Sequence, residues 1–216
     1  MTKELIAGLL ILVAYFLGSI PTGYIAGKSL QGIDIREQGS GSTGATNVLR
    51  TLGKKAAIAV LTIDLLKGAI AVGLVGIIYY FFANLLPENW QPWLVVGTGF
   101  AAILGHSKSI LLNFTGGKSV ATSLGVLLVM NPLVALGTLG TFLIVLAISQ
   151  IVSLGSITGA IAVIILMIFL KQPLPYLIFA GIAGIYVIVR HRSNISRLLA
   201  GDEPKIGNKL QQEEAS

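Results

Sequence analysis

Residues 119–170 read SVATSLGVLLVMNPLVALGTLGTFLIVLAISQIVSLGSITGAIAVIILMIFL, and not one of them is charged. Water cannot solvate so long an apolar stretch, and about 20 residues suffice for one membrane crossing. Turn chemistry divides it. Asn131-Pro132 is one break, and the region from Ser149 to Ser156, with Gln150 and Gly155, is a second. Three membrane segments follow, at about 119–130, 133–149 and 154–170.

Working outward, further apolar runs lie at about 5–26, 57–82, 93–105 and 174–189. The runs at 93–105 and 119–130 are shorter than a standard span, so on length alone they also suit a re-entrant pair. Backbone in lipid must satisfy its own hydrogen bonds, and no alternating ten-residue strands appear, so the segments are expected to be helices. With seven crossings and an outside N-terminus, Lys28, Arg36, Arg50, Lys54, Lys55, Lys108, Lys118, Arg190, Arg192, Arg197, Lys205 and Lys209 fall inside. Only Lys3 and Lys171 lie outside, and Lys67 lies within a span. Reading 119–170 as two long spans would export the basic tail, against the positive-inside rule. A re-entrant 93–130 removes two crossings and leaves the tail on the same side. The expectation is therefore an all-α polytopic membrane protein of seven transmembrane helices, N-terminus outside and C-terminus cytoplasmic. It is a single domain over 1–216, with 204–216 a flexible tail.

Composition agrees. The 216 residues are 54% hydrophobic and 11% charged, against roughly 25% charged in a typical soluble domain, and mean hydropathy is +0.85. Such a chain leaves no room for a large soluble domain or a separate cofactor module. The absence of cysteine excludes disulfides, thiolate metal clusters and a catalytic thiol. The apolar N-terminus lacks a small-residue cleavage site and reads as a first span rather than a signal peptide. The net charge of +6 suits anionic lipid heads or anionic substrates, although positive-inside topology accounts for most of it.

Three polar islands fall on the expected cytoplasmic face. The first, Gly39 to Arg50, has glycines that let backbone approach a ligand. Ser40, Ser42, Thr43, Thr46 and Asn47 add donors, and Arg50 can clamp a phosphate. A helix starting near Thr46 would add its dipole. The second runs from Gly105-His106 to Gly116-Gly117-Lys118-Ser119. A nucleotide P-loop would need glycine at position 112, which is Leu112, and no strand precedes it. A looser phosphate cradle remains. The third runs from Arg190 to Glu203. There a continuing helix would set His191 and Asn194 on one face and bring Arg190 near Arg197. Each island also has a plainer reading: a flexible connector, an interfacial histidine, a basic lipid anchor. Within the 57–82 span, Asp64 and Lys67 at i, i+3 are equally a functional pair or a structural ion pair.

On Gly39-Ser40-x5-Thr46-Asn47-x2-Arg50, Gly105-His106 with Phe114-x-Gly116-Gly117-Lys118, and His191-x2-Asn194-Ile195-x-Arg197-Leu198-Leu199-x-Gly201-x-Glu203, the chain resembles the bacterial acyl-phosphate:glycerol-3-phosphate acyltransferase family. The resemblance covers nearly the whole chain. It implies a seven-span enzyme of the bacterial inner membrane that transfers a fatty acyl group from acyl phosphate to glycerol 3-phosphate. The product is lysophosphatidic acid, an early intermediate of phospholipid synthesis. Carried over by position, phosphate-binding and catalytic roles fall on Ser40, Thr46, Arg50, Lys118, His191 and Asn194. The islands add Ser42, Asn47, His106, Gly116 and Gly117 as substrate-binding candidates. Many members have Asn where Ser42 stands and Gly where Ser119 stands, which touches substrate contacts rather than activity. The His-x4-Asp motif of other glycerolipid acyltransferases is absent. No cofactor, metal cluster, nucleic acid or obligatory protein partner is expected, only the two substrates and membrane lipid.

The chemistry expected is direct attack by the glycerol hydroxyl, with Arg50 and Lys118 holding phosphate charge and His191 and Asn194 positioning the acceptor. His191 is a candidate base, but no carboxylate is clearly placed to orient it, so the donor's own phosphate is the alternative proton acceptor. The acyl chain would enter sideways from the inner leaflet, between glycine-rich helices. A transporter of a phosphorylated anion would instead place charges near the midplane and show inverted repeats. A non-catalytic lipid-binding scaffold would explain the basic tail but not the two Gly-rich cradles.

Overall fold

The computed structural model describes residues 2–82 and 84–206. They form α1 (Lys3–Ser19), α2 (Thr22–Gln31), α3 (Ala45–Leu52), α4 (Lys54–Phe81), α5 (Gln91–Ser107), α6 (Val120–Met130), α7 (Pro132–Ser149), α8 (Val152–Phe169), α9 (Leu174–Arg190) and α10 (Arg192–Ala200), with short 3-10 turns between some of them. The chain is all-helical, and a helix stands at each of the seven apolar runs. Four segments are long and apolar enough to cross a membrane: Lys3–Gln31, α4, α7 and α8. The bent pair of α9 and α10 makes a fifth where the two are counted as one span. α6, with 11 residues, spans only about 16 Å at 1.5 Å per residue, roughly half the hydrocarbon thickness.

Helix ends lie where the side chains dictate. Asn131 caps α7, its side chain accepting from the Val134 amide at 3.0 Å, and Pro132 fills the first turn. The Asn131 amide also donates to Gln172 at 2.7 Å, tying the α6–α7 turn to the α8–α9 turn. Two expectations need correction. The first run is two helices, because Pro21 cannot continue the ladder and α1 stops at Ser19. The last helix does not run on through the third island: α9 and α10 meet at 58°. Arg190 and Arg197 therefore serve different partners instead of sharing a face.

Small residues set the closest packing. A Cβ on Gly18 or Gly105 would strike the backbone of the facing helix in the α1–α5 pair, and one on Gly68 or Gly125 would do so between α4 and α6. The main core joins α1 and α4–α9 around Val72, Val126, Ile103 and Phe179. A second cluster packs Ile35 and Val48 on Ala56, Ala57 and Val60 of α4. It fastens the first island to the start of that helix. Ile148 is 82% exposed and Phe169 79%, a surface suited to lipid rather than water. The molecule is a multi-pass membrane protein.

Candidate active site

The first island is organised by Asn47, which is buried. Its Nδ2 donates to the carbonyls of Ile35, Gln38 and Ser42, at 3.0, 2.9 and 2.9 Å, and its Oδ1 accepts from the Ser40 amide at 2.9 Å. Gly39 has φ 55°, and a Cβ there would collide with Asn47 Oδ1, so the turn requires glycine. The Ser42 hydroxyl accepts from the Gly44 amide at 3.2 Å. Asn47 thus shapes the loop with its whole amide. Ser40, Thr46 and Arg50 are left facing a cavity.

In the second island, Ser109 and Thr115 pair across a tight turn, and the Gly117 amide donates to the His106 carbonyl at 3.2 Å. Arg190 donates to the carbonyls of Gly116 and Gly117 at 3.2 and 3.1 Å. With those carbonyls engaged, the amides of Gly116 and Lys118 have no protein acceptor among the described residues. Lys118 extends to Asn194, its ammonium donating to Oδ1 at 2.5 Å. Burial lowers the Lys118 pKa to about 8, with Glu203 opposing the shift and Arg197, Arg50 and Arg190 adding to it.

The third island turns at His191. The Val187 carbonyl, which can only accept, lies 2.7 Å from His191 Nδ1, so that nitrogen carries the proton and Nε2 presents a lone pair. Burial, together with the Lys118 charge and against the help of that hydrogen bond, lowers the His191 pKa to about 4. Asn194 Nδ2 donates to Glu203 Oε1 at 2.6 Å, and the same oxygen accepts from Ser153 at 2.7 Å. Arg197 Nε donates to Glu203 Oε2 at 2.7 Å. Burial alone would raise the Glu203 pKa, but the donors from Ser153, Asn194 and Arg197 outweigh it and hold the carboxyl below its ordinary value. Arg50 donates to the Pro204 carbonyl at 3.4 Å, and the Ile206 amide to Gln150 at 2.7 Å. Residues 203–206 are therefore strapped across the site, not a free tail. Residues 207–216, with Lys209, lie outside the described residues.

All of these converge on one cavity of about 790 Å³. Ser40, Ser42, Thr46, Asn47, Arg50, His106, Lys118, His191 and Asn194 line it, whereas Gly116 and Gly117 stand behind Lys118. Away from this polar head the walls are Leu61 and Leu65 of α4, Leu124 and Leu127 of α6, Leu139 and Phe142 of α7, Val163 of α8, and Ala180 and Ala183 of α9. Among the described residues neither Arg50 nor Lys118 has a carboxylate partner. Two uncompensated cations thus head an apolar groove, a shape for an anion joined to a hydrocarbon chain.

The model of the family described as glycerol-3-phosphate acyltransferase matches residues 8–201. The chain belongs to that family. Among curated members, the glycerol-3-phosphate acyltransferase of Rippkaea orientalis is 67% identical over 209 residues, covering 96% of each chain. That of Nostoc sp. is 65% identical, covering 95% of this chain and 94% of its own. Among solved structures, the glycerol 3-phosphate form of PlsY (YgiH), an integral membrane glycerol 3-phosphate acyltransferase, superposes with a TM-score of 0.84 at 39% identity. It covers 93% of this chain and 96% of that one. The lysophosphatidic acid form of PlsY superposes at 0.81 with 38% identity, over 93% and 95%.

Two carboxylates of this glycerol-3-phosphate acyltransferase family member have no binding or catalytic role assigned from the sequence, although Glu203 closes the third motif and Asp64 with Lys67 is a candidate functional pair. Glu203 joins α8, α10 and, through Asn194, Lys118. Its signal was its place, beside Asp202 alone, as acid in a basic segment. Asp64 also lines the cavity. The carboxylate beside a histidine is this one, with Oδ1 3.5 Å from His106 Nδ1, whereas His191 is oriented by a backbone carbonyl.

Proposed function

We propose that the protein transfers a fatty acyl group from acyl phosphate to the hydroxyl of glycerol 3-phosphate, releasing phosphate and lysophosphatidic acid. The carrying observation is the joining of Arg50 and Lys118, neither with a carboxylate partner among the described residues, to an apolar groove that His191 also lines. The two PlsY forms, named for glycerol 3-phosphate and lysophosphatidic acid, support the acceptor and the product. We further infer seven crossings, an inner-membrane location and a cytoplasmic site. The basic residues clustered around the three islands support that orientation.

In this reading Arg50, Lys118 and the free loop amides hold the phosphates, and hydroxyls of Ser40 and Thr46 complete the head of the site. The acyl chain lies along the groove. The glycerol hydroxyl oxygen bonds to the acyl carbonyl carbon, the bond from that carbon to the phosphate oxygen breaks, and phosphate departs. His191 Nε2 accepts the hydroxyl's hydrogen bond and aims it. A ring with a pKa near 4 is a weak base, whereas the phosphate oxygen freed as the acyl C–O bond breaks carries the full charge of that bond and is far more basic. The proton therefore goes to the departing phosphate. Asn194, spent between Lys118 and Glu203, holds the ammonium in place.

The test is purified protein in lipid with acyl phosphate and labelled glycerol 3-phosphate. Labelled lysophosphatidic acid is expected with acyl phosphate. Absence of product with both acyl phosphate and acyl-CoA refutes acyl transfer, and product from acyl-CoA alone refutes the donor.

A further inference from the structure

Asp64 and Lys67 are charged side chains near the middle of α4, with 1% and 4% of their side chains exposed. The chemistry above leaves them unused. A buried ion pair is weak evidence for stability, because desolvation offsets its attraction, so its surroundings decide what it does. Asp64 Oδ1 gathers three groups from three helices. Lys67 Nζ lies 2.8 Å away, the Thr22 hydroxyl of α2 donates to it, and His106 Nδ1 of α5 stands at 3.5 Å. Lys67 also donates to the Ile20 carbonyl at 3.0 Å, close to where the Pro21 break interrupts the α1–α2 ladder. The cluster is therefore tied to backbone at the α1–α2 break.

His106 carries the effect onward. With a carboxylate facing Nδ1, that nitrogen bears the proton, and the ring's other nitrogen is held against Gly117. A Cβ on Gly117 would collide with Nε2, and one on Gly116 with the His106 carbonyl. The Gly117 amide is bonded to that carbonyl, and Lys118 is the next residue. Asp64 and His106 line the cavity, whereas Lys67 does not. Lys67 cancels the carboxylate's charge from behind, so the pair does not repel a phosphate.

We propose that Asp64, acting through His106, is a positioning residue that sets the Gly116-Gly117-Lys118 loop for phosphate. This rests on the proposed function. It differs from a plain structural ion pair in predicting a defect confined to phosphate binding.

The experiment compares full-length wild type, Asp64→Asn, Asp64→Glu, His106→Gln and the Asp64→Asn/His106→Gln double variant in lipid. It measures KM for each phosphate substrate, kcat and thermal midpoint. Asp64→Asn is expected to raise KM for one of the two phosphate substrates by about 10- to 100-fold, with a smaller change in the other. Asp64→Glu should recover part of the loss. The double variant should be no worse than the worse single one, because both changes break the same chain of contacts. Unchanged KM values with a lowered thermal midpoint, or penalties that add in the double variant, would overturn the proposal. Should Asp64→Asn not fold, Thr22→Val removes one hydrogen bond to the carboxylate and should raise the same KM more modestly. An unchanged KM there counts equally against the idea. If the wild type transfers no acyl group, the proposed function fails separately. Loop positioning is then decided by whether inorganic phosphate raises the thermal midpoint of wild type more than that of His106→Gln.

Discussion

Lys118 carries the most consequential charge of the site, because its ammonium is present only on one side of a working pH. Burial brings its pKa from 10.5 to about 8, so the free protein holds the proton below that value and loses it above. Phosphate affinity should follow: kcat/KM, which reports the free enzyme, is expected to fall as pH rises through about 8. Lys118→Arg keeps its charge throughout and should remove that alkaline fall even if absolute activity drops. An identical fall in both proteins would place the titration elsewhere. His191 gives the opposite expectation. With a pKa near 4 it stays neutral from pH 5 upward. His191→Ala should cost about 10- to 100-fold in turnover through lost positioning, with the wild-type profile shape kept between pH 5 and 7. A variant that loses an acidic limb in that window would show that the histidine itself takes the proton.

At the scale of elements, the loop of residues 35–47 behaves as one piece because a single amide holds it. Replacing Asn47 by Ala leaves the Ser42 carbonyl and the Ser40 amide without a protein partner, and removes one of two donors from the Ile35 and Gln38 carbonyls, which keep the Gln38 and Gly41 amides. A polar group orphaned away from water costs up to about 1–3 kcal/mol, and these two are only partly shielded. Asn47→Ala should therefore lower the thermal midpoint as well as activity, whereas Thr46→Ala, whose side chain faces the cavity, should lower activity alone. Equal midpoints for the two variants would return Asn47 to the ligand contacts that its position in the motif first suggested. The contrast marks what is legible in a sequence. Apolar runs and turn residues such as Asn131-Pro132 place helices α4 to α9 closely, because lipid burial and capping act locally. The motifs collect most of the polar residues at the head of the cavity. They cannot say that Asn47 faces its own loop, or that Arg190 reaches Gly116 and Gly117 while Arg197 reaches Glu203. The choice at Asn47 depends on how its own loop closes, and those of the arginines on the bend at His191, beside which Arg190 bonds to residues far off in sequence.

Across the whole molecule, the arrangement of helices bears on how the lipid-borne donor of the proposed reaction would reach the polar site. α4 and α7 both line the groove, yet they form no packed interface with each other. Ile58 and Leu61 on α4 and Leu143 on α7 line it while remaining 54%, 47% and 50% exposed. Residues that belong to a cavity wall and to the lipid surface at once mark a lateral opening. An acyl chain drawn through it would exchange one hydrocarbon setting for another, so entry costs little desolvation while the phosphate head stays at the polar end. The absence of native cysteine makes the opening addressable. Leu61→Cys and Leu143→Cys, joined by a short bifunctional maleimide, should close it. Turnover of long-chain acyl phosphate is then expected to fall at least about tenfold, since a narrowed gap must displace well-packed side chains to admit a chain. A water-soluble short-chain acyl phosphate needs no lateral path and should react at nearly the rate seen before cross-linking. Equal loss with both donors would mean that the linker distorts the site. Full activity with the long-chain donor in the joined protein would show that the chain enters elsewhere, along the polar end between α3 and the strap of residues 203–206.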